Sequence, residues 1–179
     1  QVDTETSVML PGRDAKTMKL PMAVEYDDSH KRLFVADTWN NRVLAFDMTP
    51  GQVESGMPAS HVLGQRDFVS YEPDAAADRL SFGVRAARGI GPSGGRPAEM
   101  ALDRVNQRLF VADGDNNRVL IFDMHPDRIQ SGAEAIGVIG QDDFTSNGAG
   151  LSASRFSLPG DMVMDEEHQR LFVELPFQD

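Results

Sequence analysis

An all-β fold made of repeated four-stranded antiparallel units is what this sequence predicts, and three observations carry the prediction. Residues 32–48 read RLFVADTWNNRVLAFDM, residues 108–124 read RLFVADGDNNRVLIFDM, and a third copy opens at Arg170 as RLFVELPFQD. The apolar runs inside each copy are short β-formers separated by a polar turn, which is a hairpin pattern. A second signature, VLGQRDF at 62–68, returns as VIGQDDF at 138–144, so the repeat covers a whole supersecondary unit and not one hairpin. Meanders of four strands joined by long connections pack face to face about an axis as the blades of a β-propeller.

The elements follow in chain order. A single strand is expected near residues 6–10, ahead of the turn signal Pro11-Gly12. Residues 22–27 form the first strand of a blade, the polar turn 27–31 returns the chain, and residues 33–36 form the second strand. Residues 43–46 are the third, the Pro-, Gly- and Ser-rich stretch 49–58 is a loop, and residues 61–64 are the fourth. Downstream the same four recur at 99–103, 109–112, 119–122 and 135–139, and a third unit starts at 158–165. One domain of three blade units is therefore expected over residues 1–179, at about 20–65, 97–141 and 158–179, with the strand near 6–10 completing the last. The copies are unevenly spaced, and the whole difference lies between Gln65 and Pro97 as against Gln141 and Pro159. Insertions that vary while strands keep their length belong in surface loops.

Composition narrows the function. A chain of 179 residues with 40% hydrophobic residues can bury a core. Its formal charge of −11 would repel nucleic acid, so no nucleic-acid partner is expected. No run is long enough to span a bilayer, which points to a soluble protein without a membrane partner. The absence of cysteine removes disulfides, thiolate metal sites and a cysteine nucleophile. The start at Gln1 without methionine fits a trimmed chain or a mature form, and a secreted or periplasmic bacterial protein is compatible with it.

VADTWNNRVLAFD and VADGDNNRVLIFD, together with the GQRDF and GQDDFTSN segments, resemble the NHL repeats of bacterial proteins with extended inter-blade loops. The resemblance runs from Leu20 to Val173 and lapses in the third unit, where Glu174-Leu175-Pro176 replaces Ala-Asp and no Asn-Asn-Arg follows. It implies a six-bladed ring. About three blades per chain would leave unpaired faces and edges, so a homodimer closing one ring, with the N-terminal strand exchanged across the two-fold axis, is expected, the alternative being a lone half-propeller or a piece of a longer propeller.

The turn between the second and third strands and the connection to the next blade emerge on one face, the default binding surface. The candidate contact residues there are Trp39, Asn40, Asn41 and Arg42, with Asp115, Asn116, Asn117 and Arg118 in the second copy. Repetition of Asp37, Arg42, Asp113 and Arg118 favours a framework role for those residues, whereas Trp39 occurs once, where the second copy has Asp115. Residues 74–88 have helical composition, and Arg79, Arg85 and Arg88 make a local basic cluster that can meet an acidic ligand or the partner subunit. Asp27, Asp103 and Asp165 recur after the first strand of each unit, where capping the turn is favoured over ligating calcium. His30 and His168 sit in corresponding turns and read as solvated; no histidine pair has zinc spacing. No catalytic set can be assembled from motif or spacing, so no cofactor is expected, calcium being the one alternative. The expected function is a non-catalytic binding or scaffold module for a protein, peptide or glycan. The alternative, implied by resemblance to six-bladed lactonases and lyases, is an enzyme with a divalent metal in the central channel.

Overall fold

A computed structural model describes residues 13–82 and 98–175. The expected strand near residues 6–10, and Arg85 and Arg88, lie outside them. β1 (Pro21–Asp27), β2 (Arg32–Asp37), β3 (Arg42–Asp47) and β4 (His61–Leu63) pair in sequence order as one antiparallel sheet. β5 (Met100–Asp103), β6 (Arg108–Asp113), β7 (Arg118–Asp123) and β8 (Gly137–Ile139) repeat it, and β9 (Met162–Asp165) with β10 (Arg170–Val173) forms a two-stranded sheet. These are two four-stranded meander blades and the opening hairpin of a third. No α-helix occurs among the described residues. The helix expected over 74–88 is absent from its described part: Ala76 and Arg79 bridge across a tight turn, because residues 74–82 spend their backbone groups on the neighbouring blades.

Alternation along the strands decides which side chains meet. From blade 1, Phe34, Ala36, Val43 and Ala45 face blade 2, whose Met100, Leu102, Leu109 and Val111 receive them in one buried cluster. Phe110, Ala112 and Val119 of blade 2 meet Met162 of the third sheet in the same way. β1 packs beside β5 and β5 beside β9, so the first strand of each sheet is innermost. At the end of the axis where β1, β5 and β9 finish, Arg104 ties three sheets together. It donates to the Tyr26 carbonyl at 2.9 Å and to Glu166 Oε1 from both its backbone N–H (3.0 Å) and its guanidinium (3.2 Å).

The turns after the innermost strands are held by their own aspartates. Asp27 accepts from the Ser29 N–H at 3.0 Å, and its other oxygen lies 2.8 Å from His30 Nδ1; Asp165 and His168 Nδ1 are 2.9 Å apart. Asn106 takes the histidine's place in blade 2, donating to Asp103 at 2.9 Å. His30 and His168 sit in corresponding turns, as expected; His168 is exposed, both imidazoles also meet the turn aspartate, and the next position (Lys31, Gln107, Gln169) is left-handed, with φ of 51°, 54° and 54°.

Candidate functional site

The face opposite those turns is built on a repeated hydrogen-bonded clamp. In blade 1 the chain leaves β2 at Asp37, makes a 3-10 turn over Thr38–Asn40 and enters β3 through Asn41 at φ 50°. Asparagine tolerates that left-handed geometry better than most residues. Asn40 Nδ2 and Arg42 Nε both donate to Asp37 Oδ2, at 2.8 and 2.7 Å. The rest of the Arg42 guanidinium is shared among carbonyls: Phe68 on one nitrogen, Asp14 (3.1 Å) and Thr17 (2.8 Å) on the other. Asp37 Oδ1 accepts the Lys19 N–H at 2.6 Å.

Blade 2 repeats each bond. Asn116 and Arg118 donate to Asp113 at 3.0 and 2.6 Å, Arg118 holds the carbonyls of Phe144, Ala76 and Arg79, and Ser81 N–H donates to Asp113 at 2.6 Å. Arg42, Arg118, Asp37 and Asp113 have no exposed surface. Burial pushes the Asp113 carboxyl up to about 6, against the opposing pull of Arg118 and of the Asn116 and Ser81 hydrogen bonds.

The clamp also joins one blade to the next. Asn41 donates from Nδ2 to the Tyr71 carbonyl (3.0 Å) and accepts the Phe82 N–H at Oδ1 (3.1 Å); Asn117 does the same with Asn147 (2.9 Å) and Leu158 (3.0 Å). Gln65 and Gln141 donate to the carbonyls of Asn41 and Asn117 and to those of Glu72 and Gly148 inside the loops. The Gln65–Phe82 and Gln141–Leu158 stretches are equal in length and bonded alike. The extra residues of the first loop therefore all fall between Phe82 and Pro97, a finer placement than the repeat spacing allowed.

Of the residues singled out by sequence, Asn40, Asn41, Arg42, Asn116 and Arg118 are buried in this clamp, and Asn117 is half-buried in it. Arg79 lies beside Asp78 at 3.8 Å and lends its carbonyl to Arg118. Trp39 stands apart, 41% exposed at the tip of the 3-10 turn. Lys19 Nζ lies over its ring at 4.9 Å, and nearby the Arg13 guanidinium lies over the ring of Tyr71 at 3.2 Å, two cation–π contacts on one blade. Arg13, Lys19 and Tyr71 were not singled out by sequence. Counted from Gln65 and Gln141, Tyr71 matches Asn147; the carbonyls held by Arg42 and Arg118 align the straps, so that Lys19 matches Ser81 and Arg13 matches Ala75.

The innermost strands carry Glu25, with Glu99 and Asp161 just ahead of β5 and β9. Burial raises the carboxyls of Glu25 and Glu99, and Asp161 adds to the rise at Glu99. Among the described residues no group of three or more His, Asp or Glu side chains is gathered to hold an ion. No helix among the described residues is long and apolar enough to cross a membrane.

No family model matches the chain, and no curated protein matches it. Among solved structures it is similar to an auxiliary nutrient binding protein from Bacteroides thetaiotaomicron, at 11% identity and a TM-score of 0.50, covering 85% of this chain and 34% of that one. The β-propeller domain of Cps50 (Swd1) from Myceliophteria thermophila matches at 11% identity and a TM-score of 0.46, covering 89% of this chain and 33% of that one. The chain spans about a third of the length of these structures. The sheets, their order about the axis and the likeness to the nutrient binding protein establish the fold as a β-propeller arc of antiparallel meander blades.

Proposed function

We propose that this chain is a non-catalytic binding module of the NHL type, which contacts a protein, peptide or glycan through its loop-bearing face. One observation carries the proposal: two blades with the same buried clamp differ above it, and at four of the differing positions blade 1 carries an aromatic or cationic side chain, Trp39, Tyr71, Arg13 and Lys19, where blade 2 has Asp115, Asn147, Ala75 and Ser81. A folding requirement explains what the blades share. It does not explain why Trp39, Tyr71, Arg13 and Lys19 gather on one of them. The similar protein from Bacteroides thetaiotaomicron is described as binding nutrients, which is in keeping with a binding role for this fold; the fold alone hosts enzymes as well.

The proposed assembly is a homodimer in which two arcs close one six-bladed ring. Val24 on β1 is 63% exposed where its equivalent Met100 is 4% exposed between blades, and Phe172 on β10 is 57% exposed where its equivalent Phe110 is 4% exposed. Each end of the arc thus presents the residue types that make an inter-blade contact elsewhere in the chain. Sedimentation equilibrium at micromolar concentration is expected to return twice the chain mass, and a monomer mass overturns the ring. For the binding face, the chain is applied to arrays of immobilised glycans and peptides. Retained ligands are expected to be lost by Trp39→Ala/Tyr71→Ala; ligands held equally well by that variant overturn the assignment of the face.

A further inference from the structure

We propose that the Trp39–Tyr71 patch recognises acidic peptide, namely a segment of a partner protein in which carboxylates flank an aromatic or aliphatic side chain. This rests on the loop-bearing face being the binding face, and it names the chemistry of what is bound there.

Charge around the patch runs against the trend of the chain. The protein carries −11 overall, yet residues 13–19 hold Arg13, Lys16 and Lys19 against the single acid Asp14. The equivalent stretch before blade 2, residues 75–81, holds one acid and one base, Asp78 and Arg79, which lie side by side. Four cations elsewhere are matched within the chain: Lys31 with Asp28, Arg66 with Asp78, Arg128 with Asp123, Arg155 with Asp142. Among the described residues no carboxylate pairs with Arg13, Lys16 or Lys19. Arg13 and Lys19 are held over aromatic rings instead, which fixes their positions and leaves their charge unneutralised.

The composition of the patch is that of a protein interface. Tryptophan, tyrosine and arginine are the residues that dominate binding energy at protein interfaces. Trp39 is 41% exposed at the tip of the 3-10 turn, where its large apolar ring with one polar N–H is open to a partner.

The patch also stands on a shared support. The patch comes from three separate segments: the strap at 13–19, the turn at Trp39 and the loop at Tyr71. Arg42 pins all three, through the carbonyls of Asp14 and Thr17, through Asp37 and through the carbonyl of Phe68. Asn41, two residues beyond Trp39, holds the Tyr71 carbonyl. In blade 2 the same scaffold carries Ser81, whose hydroxyl donates to Asp115 at 3.3 Å, and Asn147. A scaffold so fully bonded places exposed side chains with little entropy left to lose on binding.

Trp39 is the one tryptophan in the chain, so its fluorescence reports from the patch itself. The probe is a random poly(Glu,Tyr) copolymer, excited at the long-wavelength edge where tryptophan alone absorbs. A saturable change in Trp39 emission is expected, weakened about 30-fold or more in Arg13→Ala/Lys19→Ala, as loss of an interface hot spot predicts. The charge-reversed variant Arg13→Glu/Lys19→Glu is expected to respond to poly(Lys,Tyr) instead. Far-UV circular dichroism verifies that both variants are folded, as expected for changes confined to half-buried or exposed side chains. No response to poly(Glu,Tyr), or an equal response in Arg13→Ala/Lys19→Ala, overturns the proposal. A response to polygalacturonate with none to poly(Glu,Tyr) also overturns it in favour of an acidic glycan, and leaves the binding role of the face standing. That role fails separately, by the array experiment above.

Discussion

Blades 1 and 2 share a skeleton and differ in their skin. Asp37, Asn40, Asn41 and Arg42 make the same bonds as Asp113, Asn116, Asn117 and Arg118, to the same backbone positions of the strap before and the loop after. Above that skeleton, blade 1 carries Trp39, Tyr71, Lys19 and Arg13, and blade 2 carries Asp115, Asn147, Ser81 and Ala75. What recurs is what the blade needs in order to fold and to dock on its neighbour, and what does not recur is free to serve a partner.

The buried arginines are where substitution costs the skeleton most. Arg42→Ala or Arg118→Ala leaves a buried carboxylate and several carbonyls without their donor, and a loss of about 3–5 kcal/mol is expected in urea unfolding, the range for halving a buried ion pair. The two variants should fall by similar amounts, because the two clamps are bonded alike. Next come the glycines that let one blade's loop close on its outer strand. Gly64 has φ 74° and a Cβ there would collide with Leu80; Gly140 has φ 89° and would collide with Phe156. Gly64→Ala and Gly140→Ala each combine a left-handed alanine with overpacking, and about 2–4 kcal/mol is expected by the same measurement. Smaller again is Asn41→Ala, which removes two inter-segment hydrogen bonds at a left-handed position and should cost about 1–3 kcal/mol. Asn117→Ala should cost less, since its bonds to Asn147 and Leu158 are exposed where the Asn41–Phe82 bond is buried.

Proton linkage separates a buried carboxylate of the skeleton from an exposed one of the loops. Asp113 sits at about 6, above its unfolded value, so the stability it contributes is complete below about pH 4 and is lost as pH rises through 6. Asp143 is held down to about 2 by the N–H and hydroxyl groups of Thr145 and Ser146, so its contribution is present above about pH 4 and lost as pH falls through 2. Asp113→Asn is expected to flatten the change in unfolding free energy between pH 4 and 7. Asp143→Asn should leave that window unchanged and raise the hydrogen exchange of the Thr145 and Ser146 amides at neutral pH.

Much of the fold was legible because each blade is encoded locally: alternating β-formers, a polar turn at each end, and a repeat that recurs residue for residue. The framework role of Asp, Asn and Arg followed from that recurrence, and Trp39 was found as an exception to it. The rest depends on contacts distant in sequence. Residues 74–82 have the alanines and arginine of a helix, but Ala76, Arg79 and Ser81 are claimed by Arg118 and Asp113 of the next blade, and tertiary hydrogen bonds override propensity there. Tyr71, Lys19 and Arg13 went unnoticed because they lie in loops whose alignment becomes plain only when the partners of Asn41 and Arg42 are known.

The central claim, that recurrence marks the skeleton and divergence marks the binding surface, is tested most directly by converting the skin of blade 1 into that of blade 2. The variant Arg13→Ala/Lys19→Ser/Trp39→Asp/Tyr71→Asn keeps every clamp residue. Urea unfolding followed by far-UV circular dichroism is expected to place it within about 1–2 kcal/mol of the parent, the worth of two exposed cation–π pairs. A loss as large as that of Arg42→Ala would show the four side chains to be part of the skeleton and would contradict the account.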